Sequence, residues 1–421
     1  MKRKKRIIFI SPFFAPLANA EAFCNGKLVN ELLKDGFHLK VITVDYSENS
    51  KFSYDRSSIW ERLESVTVKI PPHSNSRKFC SFLSGCRYQS VEWSRWINGV
   101  VKAAIRLHNE CPFDMIYSRG LPNVAHIAGY WIAKKLNIKW IANFNDPWDL
   151  EGTHLLPQFR DKRERSLSNL MSDRWLRIVM HQADAITFPC ERLKDYHLRL
   201  VDRPVRHWIL PHIGIAGDGV LPSNKFRLLH AGSLGSGEST RIGSTRSLLN
   251  GLRRFLDRCP EARACTELLL VGKEDPTTLA IANQLNLGSI VSSTGRVSYQ
   301  ESIDFIGSAS VCMLVEGSMP EGIYLPSKFV DYIASSKPVI ALSPEIGTIA
   351  DISHLRGITR VNVDDKKGIE EAIGVYFDAF KNGVERSFFP SKELLRMFEA
   401  SNIVNVLQSA IDEVLSEQQF E

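Results

Sequence analysis

Several features that would point to other classes of protein are missing from this sequence. Its eight cysteines form no Cys-x-x-Cys pair and no Cys/His cluster, so neither a disulfide framework nor a structural zinc site is expected. No uninterrupted apolar run approaches the roughly 20 residues needed to cross a bilayer. About six apolar residues follow the basic start, too few for the core of a signal peptide. These absences favour a cytoplasmic protein that buries its cysteines as small apolar side chains.

The charge is also modest, at +6 for 421 residues. No helix-turn-helix, RNA-binding or zinc-finger signature accompanies it, so nucleic acid is not an expected partner. Cations cluster at residues 2–6, 76–78 and 160–165, with aromatic residues such as Trp96 and Trp175 nearby. Such a surface suits peripheral contact with an anionic membrane, for example the inner membrane face, or else it is an ordinary solvated face.

Short β-rich apolar runs alternate with longer helical patterns, which indicates parallel α/β architecture. In the first half, strands are predicted at 6–11, 38–44, 66–70, 114–118, 139–144, 184–188 and 206–210. In the second half, they are predicted at 226–231, 267–271, 289–292, 310–316, 338–343 and 358–361. Helices are predicted at 21–33, 88–108 and, as one or two amphipathic helices, about 391–418.

Residues 211–225 are rich in proline and glycine and separate the two series like a linker. We therefore predict two doubly wound, Rossmann-like domains facing a cleft at the carboxyl ends of both sheets. The predicted limits are 1–215 for the first domain, 225–390 for the second, and 391–421 for C-terminal helices that pack across the domains.

The most informative stretch is 315–342, which is predicted to run strand, loop, helix, strand. Pro326 suits the first helical turn, where a missing N–H costs nothing. Lys328 and Asp331 share one face near the helix start, whose unpaired N–H groups and positive dipole end favour an anion. This arrangement fits a sugar diphosphate, with the cation and helix end for phosphate and carboxylates for hydroxyls. The alternative is an exposed Lys328–Asp331 ion pair on a surface helix.

The same stretch resembles the donor-binding segment of the family-4 retaining glycosyltransferases of GT-B fold, of the bacterial surface-polysaccharide type. Residues 321–326, Glu-Gly-Ile-Tyr-Leu-Pro, are similar to the family's Glu-Gly-Phe-Gly-Leu-Pro loop, and residues 334–340 to the segment after the family's second Glu. Asp331 then takes the second Glu position, with Asp for Glu and an interval two residues longer. A subset of the family reads Pro-Ser-Lys-x-x-Glu-Tyr, which residues 326–332 resemble closely.

The resemblance implies roles for residues at this donor site. Asp331 is expected to hydrogen-bond the nucleotide ribose, and Glu321 to contact the transferred sugar, with Glu316 competing for that role. The remaining donor-binding residues expected here are Gly322, Leu325, Ser327 and Lys328.

A second signal is the Gly-rich loop after the strand at 226–231. Such a loop brings backbone N–H groups close to phosphate, so Gly232, Ser233 and Gly235 are predicted donor-binding residues. The family carries a basic residue on this loop that neutralises the diphosphate. Either Arg241 or Arg246 is expected to take this role.

The first half supplies the predicted acceptor side. Its Pro-rich first loop and following helix are similar to the family's opening segment, although residues 17–21 stand where the family often has a Gly-Gly pair. Polar residues at strand ends face the cleft, and the acceptor-side residues predicted are Phe13, Asn19, Arg119 and Asp146. Asp146 either orients the acceptor hydroxyl or caps the following helix. His126 and His212 are predicted to be structural.

The function implied is a retaining glycosyltransferase that moves a sugar from a nucleotide-diphosphate sugar to an acceptor hydroxyl in cell-surface polysaccharide biosynthesis. The acceptor expected is a saccharide or a lipid-linked saccharide. Catalysis would rest on positioning and on neutralisation of the departing diphosphate. The predicted catalytic residues are Glu321, Asp146, Arg241 and Lys328.

No cofactor or metal is expected, because GT-B enzymes generally work without a bound metal and no Asp-x-Asp motif ends a predicted strand. Two alternatives stay open. One is a GT-B enzyme of other chemistry, such as an inverting transferase or a nucleotide-sugar epimerase. The other is a non-catalytic partner subunit of GT-B fold.

Overall fold

The computed structural model describes residues 5–47, 53–71, 91–148, 167–202, 204–217, 224–234, 241–273 and 275–416. The chain divides into two compact units. The first contains the described residues up to His212 together with Ala400–Ser416, and the second contains the described part of Ile213–Glu399.

The described strands of the first unit form one parallel sheet of seven, in the order β3-β2-β1-β4-β5-β6-β7. These strands are β1 Arg6–Ile10, β2 His38–Val44, β3 Thr67–Ile70, β4 Met115–Arg119, β5 Lys139–Asn143, β6 Ala185–Phe188 and β7 His207–Ile209. The helices along this part of the chain are α1 Ala20–Lys34, α2 Glu61–Glu64, α3 Val91–Glu110, α4 Val124–Leu136, α5 Leu167–Gln182 and α6 Glu191–Leu198.

The central strands of this sheet are apolar on both faces because helices cover both faces. Ile8, Phe9 and Ile116 are fully buried. The N-cap residue of helix α1 is Asn19, whose side chain accepts a hydrogen bond from the N–H of Ala22 at 2.8 Å. The start of α1 therefore stands directly after the loop that leaves β1.

The described strands of the second unit form a parallel sheet of six, in the order β10-β9-β8-β11-β12-β13. They are β8 Phe226–Ala231, β9 Thr266–Val271, β10 Val291–Ser293, β11 Val311–Val315, β12 Val339–Leu342 and β13 Ile358–Val361. The helices of this unit are α7 Arg241–Arg258, α8 Pro276–Gln284, α9 Tyr299–Gly307, α10 Ser327–Ala334, α11 Thr348–Ile352, α12 Lys366–Lys381 and α13 Lys392–Met397.

The core of the second unit lies between its sheet and the covering helices. Leu228, Leu268 and Met313 on the strands pack with Leu252 and Phe377 on α7 and α12. This strand order is the doubly wound Rossmann order, so the prediction of two Rossmann-like units is confirmed. Each predicted strand is present, with its limits shifted by at most two residues.

The tail divides between the two units. Helix α13 belongs to the second unit, whereas the last described helix, α14 (Ala400–Ser416), belongs to the first. Ion pairs join α14 to its unit: Lys5 Nζ lies 3.6 Å from Asp412, and Arg206 Nε lies 3.6 Å from Glu413. The chain therefore crosses back to the first unit at its end. The predicted packing of the tail helices across the domains stays a prediction.

No helix in the described ranges is long and apolar enough to cross a membrane. The cationic stretches 76–78 and 160–165 lie outside the described residues. Trp96 and Trp175, expected beside those cations, are buried with 1% and 4% of their surface exposed. Within the described ranges, no group of three or more His, Cys, Asp or Glu residues is placed to hold a metal ion. The absence of a metal requirement stays a prediction.

Candidate functional site

Each sheet has one point at which the strand order reverses, between β1 and β4 in the first unit and between β8 and β11 in the second. Connections leave such a point in opposite directions, so a crevice forms beyond the carboxyl ends of the strands, where open sheets bind ligands. The predicted donor residues Gly232 and Glu316 directly follow β8 and β11. The predicted acceptor-side residues Phe13 and Arg119 lie after β1 and at the end of β4.

Helix α10 brings a cation to the end of β8. Lys328, in its first turn, has its Nζ 3.1 Å from Nε2 of His230. Nδ1 of His230 lies 2.9 Å from the carbonyl of Met313, which can only accept, so Nδ1 carries the proton. Nε2 of the neutral ring is then an acceptor, and the Lys328 amine donates to it. Burial, with the charges of Lys328 and Arg241, lowers the pKa of His230 well below its usual value, which keeps the ring neutral.

The start of α10 is also open to an anion. Pro326 occupies its N-cap position, and no side chain caps the first turn. One turn further along, the buried Tyr332 accepts a hydrogen bond at its hydroxyl from the N–H of Ala231, at 2.8 Å. This bond fixes α10 against the end of β8, so the open helix end and Lys328 are held together.

Two further charged groups lie at this point. Burial, together with the Arg241 charge, lowers the pKa of Lys328 to about 7. Glu316 has 7% of its surface exposed, and burial raises its pKa to about 7 against the opposing effect of Arg241. Arg241 is the first residue of α7 and acts electrostatically on both groups. Arg246 is exposed further along α7, where its carbonyl accepts a hydrogen bond from Asn250 at 2.7 Å.

The glycine after β8 is required by its surroundings. Gly232 has a φ of +90°, and a Cβ there would lie 3.1 Å from the Lys328 amine. On the next strand, Gly272 has a φ of +127°, and its Cβ would lie 3.3 Å from the Cα of Gly232. Both positions therefore need glycine. Ser233 is exposed beside Gly232, whereas Gly235 lies outside the described residues.

Asp331 has 6% of its surface exposed, and its Oδ1 accepts a hydrogen bond from the N–H of Ile215 at 3.1 Å. The alternative of an exposed ion pair with Lys328 is therefore wrong. Lys328 turns to His230 instead, so the two side chains have different partners.

The loop before α10 is fixed to a neighbouring loop. The Gly322 N–H donates a hydrogen bond to the Ile346 carbonyl at 2.9 Å, and the Gly322 carbonyl accepts one from the Thr348 N–H at 2.7 Å. A Cβ on Gly347 would lie 2.9 Å from the Gly322 carbonyl oxygen, so the two loops need a glycine at this contact. The other predicted donor residues of this loop are the buried Leu325 and the partly buried Glu321 and Ser327.

The first unit holds a second polar cluster, built around a residue that sequence reasoning missed. Glu21, in the first turn of α1, accepts hydrogen bonds at Oε1 from the amides of Asn145 at 2.7 Å and Asn25 at 3.1 Å. Burial raises the pKa of Glu21 to about 7, opposed by the Arg119 charge and assisted by Asp146. The predicted residues Arg119 and Asp146 thus lie close enough to Glu21 to act on its charge.

Arg119 is the last residue of β4 and has only 2% of its surface exposed. Its Nη2 lies 3.5 Å from Asn145 Oδ1 and 3.3 Å from His212 Nδ1. Arginine can only donate, so His212 Nδ1 accepts. Burial and the charges of Arg119 and Lys27 lower the pKa of His212 well below its usual value. His212 therefore belongs to this cluster, whereas the sequence predicts only a structural histidine.

The other residues of the first unit for which the sequence predicts a role lie in different environments. The Phe13 carbonyl accepts a hydrogen bond from the Asn25 amide at 2.8 Å. The Asn19 side chain caps α1. Asp146 is partly buried, and burial raises its pKa to about 6. His126 is fully buried, with Nδ1 2.9 Å from Ser118 Oγ, and burial lowers its pKa to about 3.

No protein-family model matches the chain, and no curated protein sequence matches it either. Solved structures do match. Sucrose-phosphate synthase from Thermosynechococcus elongatus superposes with a TM-score of 0.68, covering 98% of this chain and 100% of that chain at 15% identity. HepE from Anabaena, in complex with UDP and glucose, superposes with a TM-score of 0.65. The match covers 97% of this chain and 100% of HepE at 12% identity. MnaA from S. aureus, solved with UDP, superposes with a TM-score of 0.57, and the match covers 97% of each chain at 13% identity.

Together with the two doubly wound units and the returning α14, these superpositions show that the chain has the two-domain Rossmann-like GT-B fold. Identities this low show the fold alone. The narrower resemblance to the family-4 retaining glycosyltransferases stays a prediction.

Proposed function

We propose that this protein is a nucleotide-sugar-dependent glycosyltransferase that retains the anomeric configuration and binds the donor diphosphate in its second unit. The observation that carries the proposal is the placement of Lys328. Its amine is held by a neutral histidine at the strand-order reversal, beside an uncapped helix end. Among the described residues, Lys328 forms no ion pair with a carboxylate, and such a cation beside a helix start that no side chain caps suits a diphosphate.

The matched structures support this reading by what they contain. HepE is described with UDP and with UDP-glucose, and MnaA with UDP. In this chain, the corresponding expectation is that a uridine or other nucleoside diphosphate sugar occupies the end of β8 and the start of α10.

The proposed roles follow the local chemistry. Lys328 and Arg241 neutralise the diphosphate, and the backbone of Gly232 approaches it. Asp331, whose carboxylate also accepts from the Ile215 N–H, binds the ribose. Glu316 or Glu321 contacts the transferred sugar.

In the transfer step, the bond from the anomeric carbon to the diphosphate oxygen breaks. A bond from that carbon to the acceptor hydroxyl oxygen forms, and the hydroxyl proton passes to the departing diphosphate. The nucleoside diphosphate is then released. Neutralisation of this leaving group lowers the barrier without a nucleophile from the protein.

The first test is binding of UDP by calorimetry to the unaltered protein and to Lys328→Met, which keeps the apolar stem but removes the amine. We expect UDP affinity to fall about 10- to 100-fold, since a hydrogen bond to a charged group contributes about 1.5–3 kcal/mol. Lys367→Met, on an exposed ion pair of α12, is the control. Equal UDP affinity in all three proteins would count against the site.

The second test separates the chemistries. A panel of nucleotide sugars is incubated with the unaltered protein, and proton NMR follows the anomeric signals. Transfer or hydrolysis with retention supports the proposal, whereas an inverted product indicates an inverting transferase. Interconversion of the nucleotide sugar indicates an epimerase such as the UDP-GlcNAc 2-epimerase of Methanocaldococcus jannaschii, which superposes with a TM-score of 0.56. UDP binding without turnover indicates a non-catalytic partner subunit.

The biological setting we propose is surface-polysaccharide synthesis with a lipid-linked acceptor, which would bring the protein to an anionic membrane. Flotation with vesicles of phosphatidylglycerol and phosphatidylethanolamine at low salt tests this. Failure to float in both low salt and donor-saturated conditions would remove the membrane part of the proposal and leave the transferase part intact.

A further inference from the structure

The first unit contains a polar cluster that the donor site does not use. Its members lie at or just after the carboxyl ends of β4, β5 and β7, or in the first half of α1. We call them the Glu21 cluster, and they are Glu21, Asn25, Lys27, Arg119, Asn145, Asp146 and His212. The cluster stands at the strand-order reversal of its own sheet, the position at which such sheets bind ligands.

Glu21 is held from one side only. Both amide donors, from Asn145 and Asn25, reach the same oxygen, Oε1. Within the described residues, no hydrogen bond occupies the other carboxylate oxygen, Oε2, and the side chain is only partly buried. A carboxylate fixed through one oxygen presents the other in a defined direction as an acceptor.

Asn145, which holds Glu21, is itself held by hydrogen bonds. Arg119 Nη2 faces Asn145 Oδ1 at 3.5 Å, so the Asn145 amide nitrogen is directed to Glu21, and it also donates to the Gly120 carbonyl at 3.1 Å. Two buried atoms of the cluster have no partner among the described residues: Arg119 Nε and Asn25 Oδ1. Their residues have 2% and 0% of their surfaces exposed. Unpartnered buried polar atoms are costly in a purely structural cluster and are common at ligand sites.

The charges of the cluster indicate what it binds. Arg119 and Lys27 are cations, Glu21 and Asp146 are acids, and His212 is neutral because its Nδ1 accepts from Arg119. With both acids ionised, the two charge signs balance, so the cluster does not call for an anion such as phosphate. An acceptor-only carboxylate oxygen suits an uncharged hydroxyl group instead.

We propose that Glu21, rather than Asp146, binds the incoming hydroxyl of the acceptor, which donates a hydrogen bond to Oε2. Asp146, the residue selected from the sequence, has no hydrogen bond to its carboxyl group within the described residues and so lacks a defined orientation. The assignment rests on the proposed function. Glu21 orients the hydroxyl, whose proton passes to the departing diphosphate as the new bond forms.

The test uses Glu21→Gln in the full chain. The glutamine carbonyl still accepts from both amides, but an NH₂ group replaces Oε2, so a donor stands where the acceptor was. Glu31→Gln, in the last turn of the same helix and paired with Lys34, is the matched control, and Asp146→Asn tests the competing residue. Three quantities are measured: kcat for hydrolysis of the nucleotide sugar with water as the incoming hydroxyl, UDP affinity, and the melting temperature.

We expect Glu21→Gln to lower kcat about 100-fold while UDP affinity stays within two-fold of the unaltered protein. The kcat of the unaltered protein should rise with pH through about 7, as Glu21 ionises beside Arg119 and Asp146. The variant should lose this rise, which a merely structural residue would not cause.

Other outcomes overturn the assignment. A normal kcat in Glu21→Gln with a large loss in Asp146→Asn transfers the role to Asp146. A loss of UDP affinity in Glu21→Gln places the acid on the donor. If the unaltered protein binds UDP but turns over no nucleotide sugar, the proposed function fails and the assignment with it. In contrast, turnover that is unaffected by Glu21→Gln leaves the proposed function standing.

Discussion

Lys328 and His230 are joined by a hydrogen bond of 3.1 Å in which a neutral imidazole accepts from the lysine amine. Arg119 and His212 repeat this relationship in the first unit, at 3.3 Å. Within the described residues, neither cation forms an ion pair with a carboxylate. A neutral histidine partner positions a cation without cancelling its charge, so Lys328 remains available to an anionic ligand.

Donor binding should weaken as pH rises. The pKa of Lys328 is lowered to about 7, so the amine is charged below that pH and loses its charge above it. Glu316, whose pKa is raised to about 7, becomes an anion over the same range and repels the diphosphate. His230 stays neutral, and Arg241 stays charged. We expect the Kd for UDP to rise several-fold between about pH 6.5 and 8.5, with proton uptake on binding.

Calorimetry in buffers of different ionisation enthalpy measures that uptake. Lys328→Met should remove most of the pH dependence of the Kd for UDP. Glu316→Gln should remove the smaller part that is due to the glutamate. The terminal phosphate of UDP ionises near pH 6, which has the opposite effect on affinity and is complete at the upper pH values. A Kd that stays constant or falls towards pH 8.5 would contradict the assignment of Lys328.

The two arginines of α7 should differ in their effect on the donor. Both arginines are exposed, but Arg241 acts on the charges of Lys328 and Glu316, whereas Arg246 lies more than one turn further along the helix. We expect Arg241→Ala to weaken UDP binding about 10-fold or more and Arg246→Ala to change it less than two-fold. Both variants replace arginine by alanine in the same helix, so the change in helix propensity is the same in each and does not affect the comparison. An effect confined to Arg246→Ala would reverse the assignment.

Gly232→Ala should disturb both stability and donor binding. The φ of +90° is unfavourable for alanine, which costs about 1–2 kcal/mol, and the new Cβ would press against the Lys328 amine. Gly243→Ala is the control, because a Cβ there meets nothing within 4 Å. It lies inside α7, where alanine is favoured over glycine by about 1 kcal/mol. Urea unfolding and UDP titration measure the two effects, and equal stability of both variants would argue against the strained backbone.

Asp331 should show two separable roles. Asp331→Ala leaves the Ile215 N–H without its acceptor, and we expect a loss of about 1–3 kcal/mol in the free energy of unfolding. Asp331→Asn keeps an oxygen for the Ile215 N–H, so stability should be retained, while it removes the negative charge of the carboxylate that is proposed to bind the ribose. UDP affinity should therefore fall in both variants. If Asp331→Asn binds UDP normally, the residue is structural only.

The sheet framework could be predicted because buried parallel strands have a strong local signal. The runs at 38–44, 226–231 and 358–361 coincide with the observed strands. Their flanking helices follow from the spacing of apolar residues. The division of the tail could not be predicted, since α13 and α14 follow one another closely along the chain and yet belong to different units.

The contacts within the site could not be predicted as fully from the sequence. Lys328 and Asp331 are visible as a pair, but their partners, His230 and Ile215, are 98 and 116 residues away. Glu21 had no signal of its own, because the amide that orients it comes from Asn145, 124 residues further along the chain. Contacts of this range depend on the strand order, which local patterns do not specify.

The return of α14 to the first unit limits how the protein can be divided in the laboratory. A fragment that stops after His212 would expose the surface that α14 covers and would leave Lys5 and Arg206 without Asp412 and Glu413. An isolated first unit therefore needs residues 400–416 restored by a covalent linker. The described residues of the second unit, in contrast, all lie within the single stretch Ile213–Glu399.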